Sequence, residues 1–340
     1  MRRRDFIKGI GGSAVAWPVA ARAQPQGAKA QPSKVYRVGL AFTTSPLSEM
    51  AGPDPIVPSA RAFVHGLRDL GYVEGKNLIL ERRSAEGHAE RYHSIIAELV
   101  QLNVDVIVTV STPMIREAKA ITTTVPIVMG ASTVDVLNLG LVNSLGKPGG
   151  NITGNINLFD PEIDAKRLEL LKELLPSANR VACLSRIEEW EGPWGQSVEV
   201  AAQKLGLTMV LAAHTPDNYE AALALIAASR VDALFVYPGA YQYGSRQMLV
   251  DFARKNRLPD SHGFREAVEV GGLMSYGASV PALWRRAATY VDKILKGAKP
   301  GELPIMQPTK FEFVINRRTA EALGILVAPS LIALTDQVIE

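Results

Sequence analysis

The sequence predicts an α/β protein of two doubly wound, Rossmann-like lobes with parallel sheets, joined by a hinge that the chain crosses several times. Short apolar runs of strand length alternate with segments of helical spacing along most of the chain. The run at residues 104–110 (VDVIVTV) is rich in β-branched residues, which is typical of a strand covered on both faces. The alternation starts again after a stretch rich in Gly and Asn, at residues 149–155. Strands that alternate with helices form parallel sheets, so the two blocks predict two lobes.

The first block begins the alternation. Its first helix has Phe63 and Leu67 on one face, and Pro113 occupies the first turn of a later helix, where proline is favoured. The predicted strands cover residues 35–42, 78–81, 104–110 and 126–129, and the predicted helices cover 58–70, 89–102 and 113–120.

The second block repeats the pattern. Leu168, Leu171 and Leu175 are spaced three and four apart, which indicates an amphipathic helix. Gly206 follows another helix at a position typical of a terminating glycine. The predicted helices cover residues 160–175, 193–205, 218–228 and 242–256, and the predicted strands cover 180–184, 208–213, 233–237 and 258–261.

The tail from Leu273 is too short for a third domain. It predicts a strand, a helix at 281–295, a proline-containing extended stretch, a strand at 311–315 and a final helix. These pieces are expected to return to the two lobes, which creates the hinge. We therefore expect one lobe from residues 34–153 plus 277–306, and the other from 154–276 plus 307–340.

The first 23 residues have the features of a twin-arginine export signal. Arg3 and Arg4 precede a polar residue, a Phe, an aliphatic residue and a Lys, and a short apolar stretch follows. The stretch ends in Ala-Arg-Ala, which predicts cleavage before Gln24. It is too short for a bilayer, which needs about 20 apolar residues. No Cys follows it for a lipid anchor. We therefore expect a free periplasmic protein that begins with a disordered spacer at residues 24–33.

Charge excludes one class of partner. The whole chain carries 37 basic and 34 acidic residues, but the signal holds five of the basic ones and one acidic one. The chain after the signal is therefore close to neutral, whereas a nucleic-acid-binding protein should be clearly basic. The single cysteine, Cys183, lies in an apolar run and is interpreted as a small buried residue.

Hydroxyl residues follow several predicted strands of the first block. Ser45 comes after the first strand, Ser111 and Thr112 after the third, and Ser132 after the fourth. In open parallel sheets, ligands bind beyond the carboxyl ends of the strands. Helix N-termini at those ends offer free N–H groups to an anion. These four residues are therefore candidate ligand contacts; the alternative is that they only cap helices.

The second block offers aromatic and imidazole side chains at comparable positions. Tyr237 and His262 follow predicted strands, and Tyr276 lies at an expected crossover between the lobes. A tyrosine at a cleft can stack on a ligand or bond to it through its hydroxyl. The alternative is that each is an ordinary packed side chain.

Signatures of catalysis are missing from the sequence. The stretch 146–150 (GKPGG) lacks Walker spacing, and neither a dinucleotide-binding glycine motif nor a nucleophile elbow occurs. His88 and His93 are five apart, which does not place both on one helix face as a zinc site would require. We therefore expect no enzyme, no cofactor and no metal.

The chain resembles the family of ABC transporter substrate-binding proteins that includes the tryptophan/tyrosine-binding type. The resemblance implies the type I periplasmic binding fold. The chain departs from the family pattern in two places. Residues 133–136 keep Asp135 but lose the usual Gly and Pro, and the proline-rich loop at 49–58 also differs. The resembling segments are 63–77 (FVHGLRDLGYVEGKN), 104–108, 140–142, 148–154 (PGGNITG), 271–277 (GGLMSYG), 285–297 (RRAATYVDKILKG), 307–312 (QPTKFE) and 315–316.

Together these observations predict the solute-binding component of an ABC importer. Its lobes close on a small polar ligand, such as an amino acid or an aromatic acid. The hydroxyls would bind the ligand's carboxylate, and Asp135 or another acidic residue would bind its amine if it has one. The expected partner is a membrane permease, and the protein is expected to be a monomer with no direct insertion into the membrane. The alternative is a sensory module that presents its ligand state to a membrane receptor.

Overall fold

The fold is given by a computed structural model, which describes residues 34–132, 136–157, 161–216, 218–309 and 311–340. The predicted signal and spacer, together with Asp135, lie outside the described residues. None of the helices in the described ranges combines the length and apolar character needed to cross a bilayer.

Strands and helices alternate along the chain. The strands are β1 (Tyr36–Phe42), β2 (Leu78–Ser84), β3 (Val106–Thr109), β4 (Ile127–Ser132), β5 (Ile152–Ile156), β6 (Arg180–Ser185), β7 (Thr208–Ala213), β8 (Ala233–Val236), β9 (Asp260–His262), β10 (Met274–Ala278), β11 (Phe311–Asn316) and β12 (Gln337–Ile339). The helices are α1 (Pro58–Asp69), α2 (Tyr92–Gln101), α3 (Thr112–Ile121), α4 (Pro161–Leu174), α5 (Ile187–Trp190), α6 (Pro193–Lys204), α7 (Glu220–Ala228), α8 (Ala240–Gly244), α9 (Arg246–Lys255), α10 (Arg265–Glu269), α11 (Val280–Leu295), α12 (Arg317–Leu323) and α13 (Pro329–Ala333).

The strands form two sheets, and each sheet with its helices is here called a lobe. The sheet of the first lobe has the order β2-β1-β3-β4-β5, and all its pairs are parallel. The sheet of the second lobe has the order β12-β11-β10-β9-β8-β6-β7. Its pairs are parallel except for β10 with β11. The prediction of an α/β protein with two parallel-sheet lobes is therefore confirmed.

The chain crosses between the lobes near the carboxyl ends of the strands. It leaves the first lobe after β5 and returns after β10 to place α11 against α1 and β4. It then leaves again before β11. Because β10 ends at the hinge and β11 begins there, the two strands run in opposite directions. The residue bounds of the lobes stay a prediction.

Each lobe buries apolar side chains on both faces of its sheet. Along β6, Val181 and Cys183 pack with α4 and α6, whereas Ala182 and Leu184 face the opposite side, towards α7 and α9. This is the two-residue periodicity of a strand, and both faces are apolar because helices cover both. Cys183 is fully buried, and burial raises its pKa well above the ordinary value.

The strand β5 was absent from the sequence prediction because its three central residues, Thr153, Gly154 and Asn155, do not form an apolar run. Asn155 is fully buried, and its side-chain amide donates to the carbonyls of Gly130 (3.3 Å) and Leu283 (2.8 Å). Thr153 donates to the Leu303 carbonyl (2.7 Å). Gly154 has φ +121°, and a Cβ there would lie 2.4 Å from the Met129 carbonyl oxygen. The bonds of Thr153 and Asn155, and the close approach at Gly154, hold β5 to β4 and to the returning segment of the chain.

The α10 helix carries an unusual buried carboxylate, Glu266. Its side chain is 2% exposed, and among the described residues neither carboxylate oxygen makes a hydrogen bond of normal geometry. Burial is the main reason why the pKa of Glu266 is raised from 4.5 to about 7. The charge of Glu269 also raises it, whereas the residue's own backbone N–H and the charges of Arg246 and Arg265 lower it. The folded protein therefore binds this proton more tightly than the unfolded chain does.

This raised pKa makes stability dependent on pH. The stability that proton binding contributes is fully present below about pH 4.5 and is lost as the pH rises through about 7. We expect Glu266→Gln to match the wild type at pH 4.5 and to be more stable above pH 7, by up to about 3 kcal/mol. Denaturant unfolding across this pH range measures the effect, with the exposed Glu199→Gln as control. Parallel stability curves for Glu266→Gln and wild type would contradict it.

Candidate functional site

A cavity lies where the carboxyl ends of strands from both lobes meet. Its volume is about 60 Å³, on a scale where one buried water takes about 10–15 Å³. It therefore has room for a small organic group or several waters. It is lined by Phe42, Thr43, Thr44, Ser45, Ser59, Val110, Ser111, Ala131, Asn157, Ala240, Tyr243, Phe264, Val280 and Trp284.

Two aromatic pairs form much of the cavity wall. From the first lobe, the rings of Phe42 and Trp284 stack with centroids 4.5 Å apart and an interplanar angle of 17°. From the second lobe, Tyr243 and Phe264 meet edge to face with centroids 5.5 Å apart. Such surfaces bind apolar or aromatic ligand groups through buried area and ring geometry.

Trp284 is positioned by a close backbone approach. It lies in the first turns of α11 and is 1% exposed. A Cβ on Gly130 of β4 would lie 2.7 Å from its ring, so only glycine leaves room for it there. The contact fixes the start of α11 against the first sheet.

Ser111 combines an unusual backbone with a free hydroxyl. It is the N-cap of α3 but makes no side-chain capping bond, and its φ and ψ are 67° and 146°. This conformation is almost restricted to glycine and costs about 1–3 kcal/mol. Its buried Oγ has no hydrogen-bond partner among the described residues. The hydroxyl is therefore available to a ligand at a helix N-terminus, where the helix dipole favours negative charge.

Two more buried hydroxyls at the cavity, Ser59 Oγ and Tyr243 Oη, make no bond of normal geometry to any residue that the structure describes. Burial raises the pKa of the Tyr243 phenol well above its usual value, and the nearby Glu266 raises it further, while Arg246 and Ser59 lower it. The phenol therefore stays protonated and can donate. Polar groups buried without partners are costly, so ligand or water atoms are their natural partners.

Charge is absent from the described lining of the cavity. None of the described residues that line it is Asp, Glu, Lys, Arg or His. A carboxylate bound there would be held by hydroxyls and the α3 N-terminus rather than by a cationic side chain.

The loop that frames the cavity is held by arginines. It connects Ser45 to Ser59, both of which line the cavity. Three arginines of the first lobe donate to its carbonyls, which braces the loop that the sequence marks as a departure from the family. The bonds are Arg61 to Pro55 (2.7 Å), Arg68 to Pro53 (2.5 Å) and Arg82 to Gly52 (3.1 Å).

The structure brings some of the predicted contacts of the first block together. Ser45 and Ser111 line the cavity. Thr112 begins α3 beside Ser111. Ser132 is fully buried at the end of β4, and its Oγ has no partner within the ranges that the structure describes. Neither of these two is among the lining residues.

The predicted contacts of the second lobe lie elsewhere. Tyr237 and His262 line a separate void of about 10 Å³, which shares Tyr243 and Phe264 with the main cavity. His262 Nε2 lies 2.7 Å from Asp260 Oδ2, and both side chains are buried. Tyr276 stacks on Phe311, with ring centroids 6.2 Å apart.

Sequence reasoning missed the aromatic wall. Phe42 ends a predicted strand and Phe264 closely follows another. Both could therefore have been predicted as ligand contacts by the same strand-end rule as the hydroxyl residues. Trp284 and Tyr243 lie inside predicted helices, where nothing distinguishes them from core residues. Only the chain's return across the hinge brings Trp284 to the cleft.

Two α/β lobes with a cavity between their strand ends define a ligand-binding protein of the two-lobed class. The chain matches the description "ABC transporter substrate binding protein" over residues 54–339, and it belongs to that family. The family is one of solute-binding proteins rather than enzymes, in agreement with the sequence.

Known relatives support the fold and the family. The tyrosine-binding protein of Clostridioides difficile (strain R20291) is 27% identical over 279 residues, which cover 82% of this chain and 79% of the relative. The ABC domain in complex with L-Trp from Streptococcus pneumonia is 25% identical with a TM-score of 0.78, covering 90% of this chain and 100% of that one. A periplasmic binding protein from Burkholderia mallei shares the fold at 11% identity and a TM-score of 0.53, covering 79% of this chain and 80% of that one.

The two features of Ser111 can be separated by substitution. We expect Ser111→Gly to relieve the backbone strain and raise stability by about 1 kcal/mol or more, whereas Ser111→Ala keeps the strain. Both remove the hydroxyl, so both should weaken ligand binding. Thermal unfolding and calorimetric titration of the two variants measure this. Equal stability of the two variants, or unchanged affinity in both, would contradict the role given to Ser111.

Proposed function

We propose that this protein is the periplasmic solute-binding component of an ABC importer. It closes its two lobes on a small polar ligand such as an amino acid or an aromatic acid. The observation that carries the proposal is the cavity between the lobes, where buried hydroxyls that make no bond of normal geometry to the described residues lie beside an aromatic wall. The relatives named for tyrosine binding and solved with L-Trp support an aromatic ligand.

The proposed pose places the ligand's carboxylate at Ser45, Ser111 and the N-terminus of α3. Its apolar body would lie between the ring pairs of the two lobes. Asp135 is proposed to receive an amine if the ligand has one. Thr112, Ser132, Tyr237, His262 and Tyr276 stay proposed contacts or supports, reached through small shifts as the lobes move.

The binding free energy of a small ligand is large enough to drive closure of the lobes. Shifting an open–closed balance from 1:99 to 99:1 needs about 5.5 kcal/mol of differential binding. A ligand with a dissociation constant near 1 μM binds with about −8 kcal/mol. An amino-acid-sized ligand can therefore both bind and drive a hinge motion of this kind.

Titration calorimetry of the chain from Gln24 onward, against the twenty amino acids and a panel of aromatic acids, tests the ligand class. We expect at least one aromatic member to bind with a dissociation constant near the micromolar range. Ser45→Ala should lower the affinity for that ligand. Absence of binding by every member at millimolar concentration would contradict the proposal.

Export is the second part of the proposal. The twin-arginine pattern and the Ala-Arg-Ala end of the signal support cleavage before Gln24 and release as a free periplasmic monomer. There the closed form would deliver its ligand to a membrane permease.

Conservative changes within the signal test the export route. We expect Arg3→Lys with Arg4→Lys to leave the uncleaved precursor in the cytoplasm, because charge is kept but the arginine pair is lost. Arg2→Lys, outside that pair, is the matched control and should be exported. Cell fractionation with intact-mass measurement decides the matter. Normal export of the double variant would show that another route is used.

A further inference from the structure

The two lobes touch each other directly at a pair of tyrosines outside the ligand cavity. Tyr92 begins α2 in the first lobe, and Tyr241 lies in α8 of the second lobe. Their hydroxyl oxygens are 3.1 Å apart, and the side chains are 3% and 9% exposed. This is a buried hydrogen bond between groups 149 positions apart in the chain.

Charged groups of the second lobe surround this bond. The Arg186 guanidinium lies 5.6 Å from the centroid of the Tyr241 ring, and Glu189 holds it at 2.9 Å. Burial raises the pKa of the Tyr92 phenol, and its bond to Tyr241 and the charge of Glu90 raise it further, while Arg186 lowers it. Tyr92 therefore stays protonated at physiological pH, as a hydroxyl–hydroxyl bond requires.

A second contact between the lobes lies beside the first. Thr44, after β1, approaches α8 with its Oγ1 3.5 Å from the Ala240 carbonyl oxygen. A Cβ on Gly244 would lie 2.6 Å from Thr44 Oγ1. Glycine at position 244 is therefore what lets the lobes approach to this distance.

We propose that Tyr92, Tyr241 and Gly244 form a latch that sets the balance between open and closed lobes. None of these three residues lines the cavity, although Gly244 contacts Thr44, which does. The bond between Tyr92 and Tyr241 joins protein to protein and does not depend on which ligand is bound. The proposal deepens the proposed function, because a latch that favours closure raises the affinity for any ligand that fits the cavity.

A distance measurement without ligand tests the latch. Spin labels on Lys76→Cys and Lys255→Cys report the separation of the lobes, with the fully buried Cys183 left in place. We expect the wild-type latch to show a closed population. Tyr92→Phe should lower the closed-to-open ratio about two- to tenfold, which is the usual range for one neutral hydrogen bond. Gly244→Ala should lower it by steric clash.

Two further variants test whether an effect comes from this bond or from a general loss of stability. Tyr241→Phe should shift the ratio as Tyr92→Phe does, and the double variant should add little, because both remove one bond. Tyr72→Phe removes a buried phenol that bonds to Asp292 inside the first lobe, at 3.0 Å. It should change thermal stability but leave the distances unchanged.

The outcome separates the latch from the ligand assignment. A wild-type distribution with open distances only, or latch variants that leave the distribution unchanged, would overturn the latch. Because no ligand is present, a failure to find an aromatic ligand by calorimetry would leave this result standing. Conversely, loss of the latch would leave the ligand titration standing.

Discussion

The packing of Trp284 against Gly130 and Phe42 is the contact on which much of the binding architecture depends. A side chain on Gly130 would displace the ring, and without the ring α11 would lose its position on the first sheet. The α11 helix is also where the chain returns from the second lobe. Asn155 donates to the carbonyl of Leu283, the residue before Trp284, and so fixes the same turn from β5. One aromatic residue thus couples the hinge, the core of the first lobe and the cavity wall.

The chemistry of the cavity follows from the direction of the strands. Carboxyl ends of parallel strands from both sheets point towards the cleft, so helix N-termini and the residues that follow strands collect there. In this protein those residues are mainly hydroxyls and aromatics, and charged side chains are absent from the described lining. Such a site recognises a ligand through partial charges and ring contacts. Small changes in its aromatic residues would therefore alter specificity without disturbing the fold.

The sequence predicted the regular parts of the fold well, because a strand covered on both faces leaves a continuous apolar run. β5 escaped because its polar residues are buried and bonded to other backbone segments, which no local pattern reveals. The antiparallel direction of β11 could not be predicted either, because it depends on where the chain re-enters the second lobe. Ser45 and Ser111 could be predicted from their places after strands. Trp284 and Tyr243 could not, since their helices look like any amphipathic helix until the lobes are assembled.

The central claim is that a small carboxylate ligand binds between the lobes beside Ser111. Native mass spectrometry of the wild-type protein and of Ser111→Ala, each purified from the cells that produce it, tests this directly. We expect the wild type to carry a small organic acid or amino acid as a non-covalent adduct, and Ser111→Ala to carry much less of it. Equal retention of the same adduct by both proteins, or a nucleotide in its place, would contradict the account.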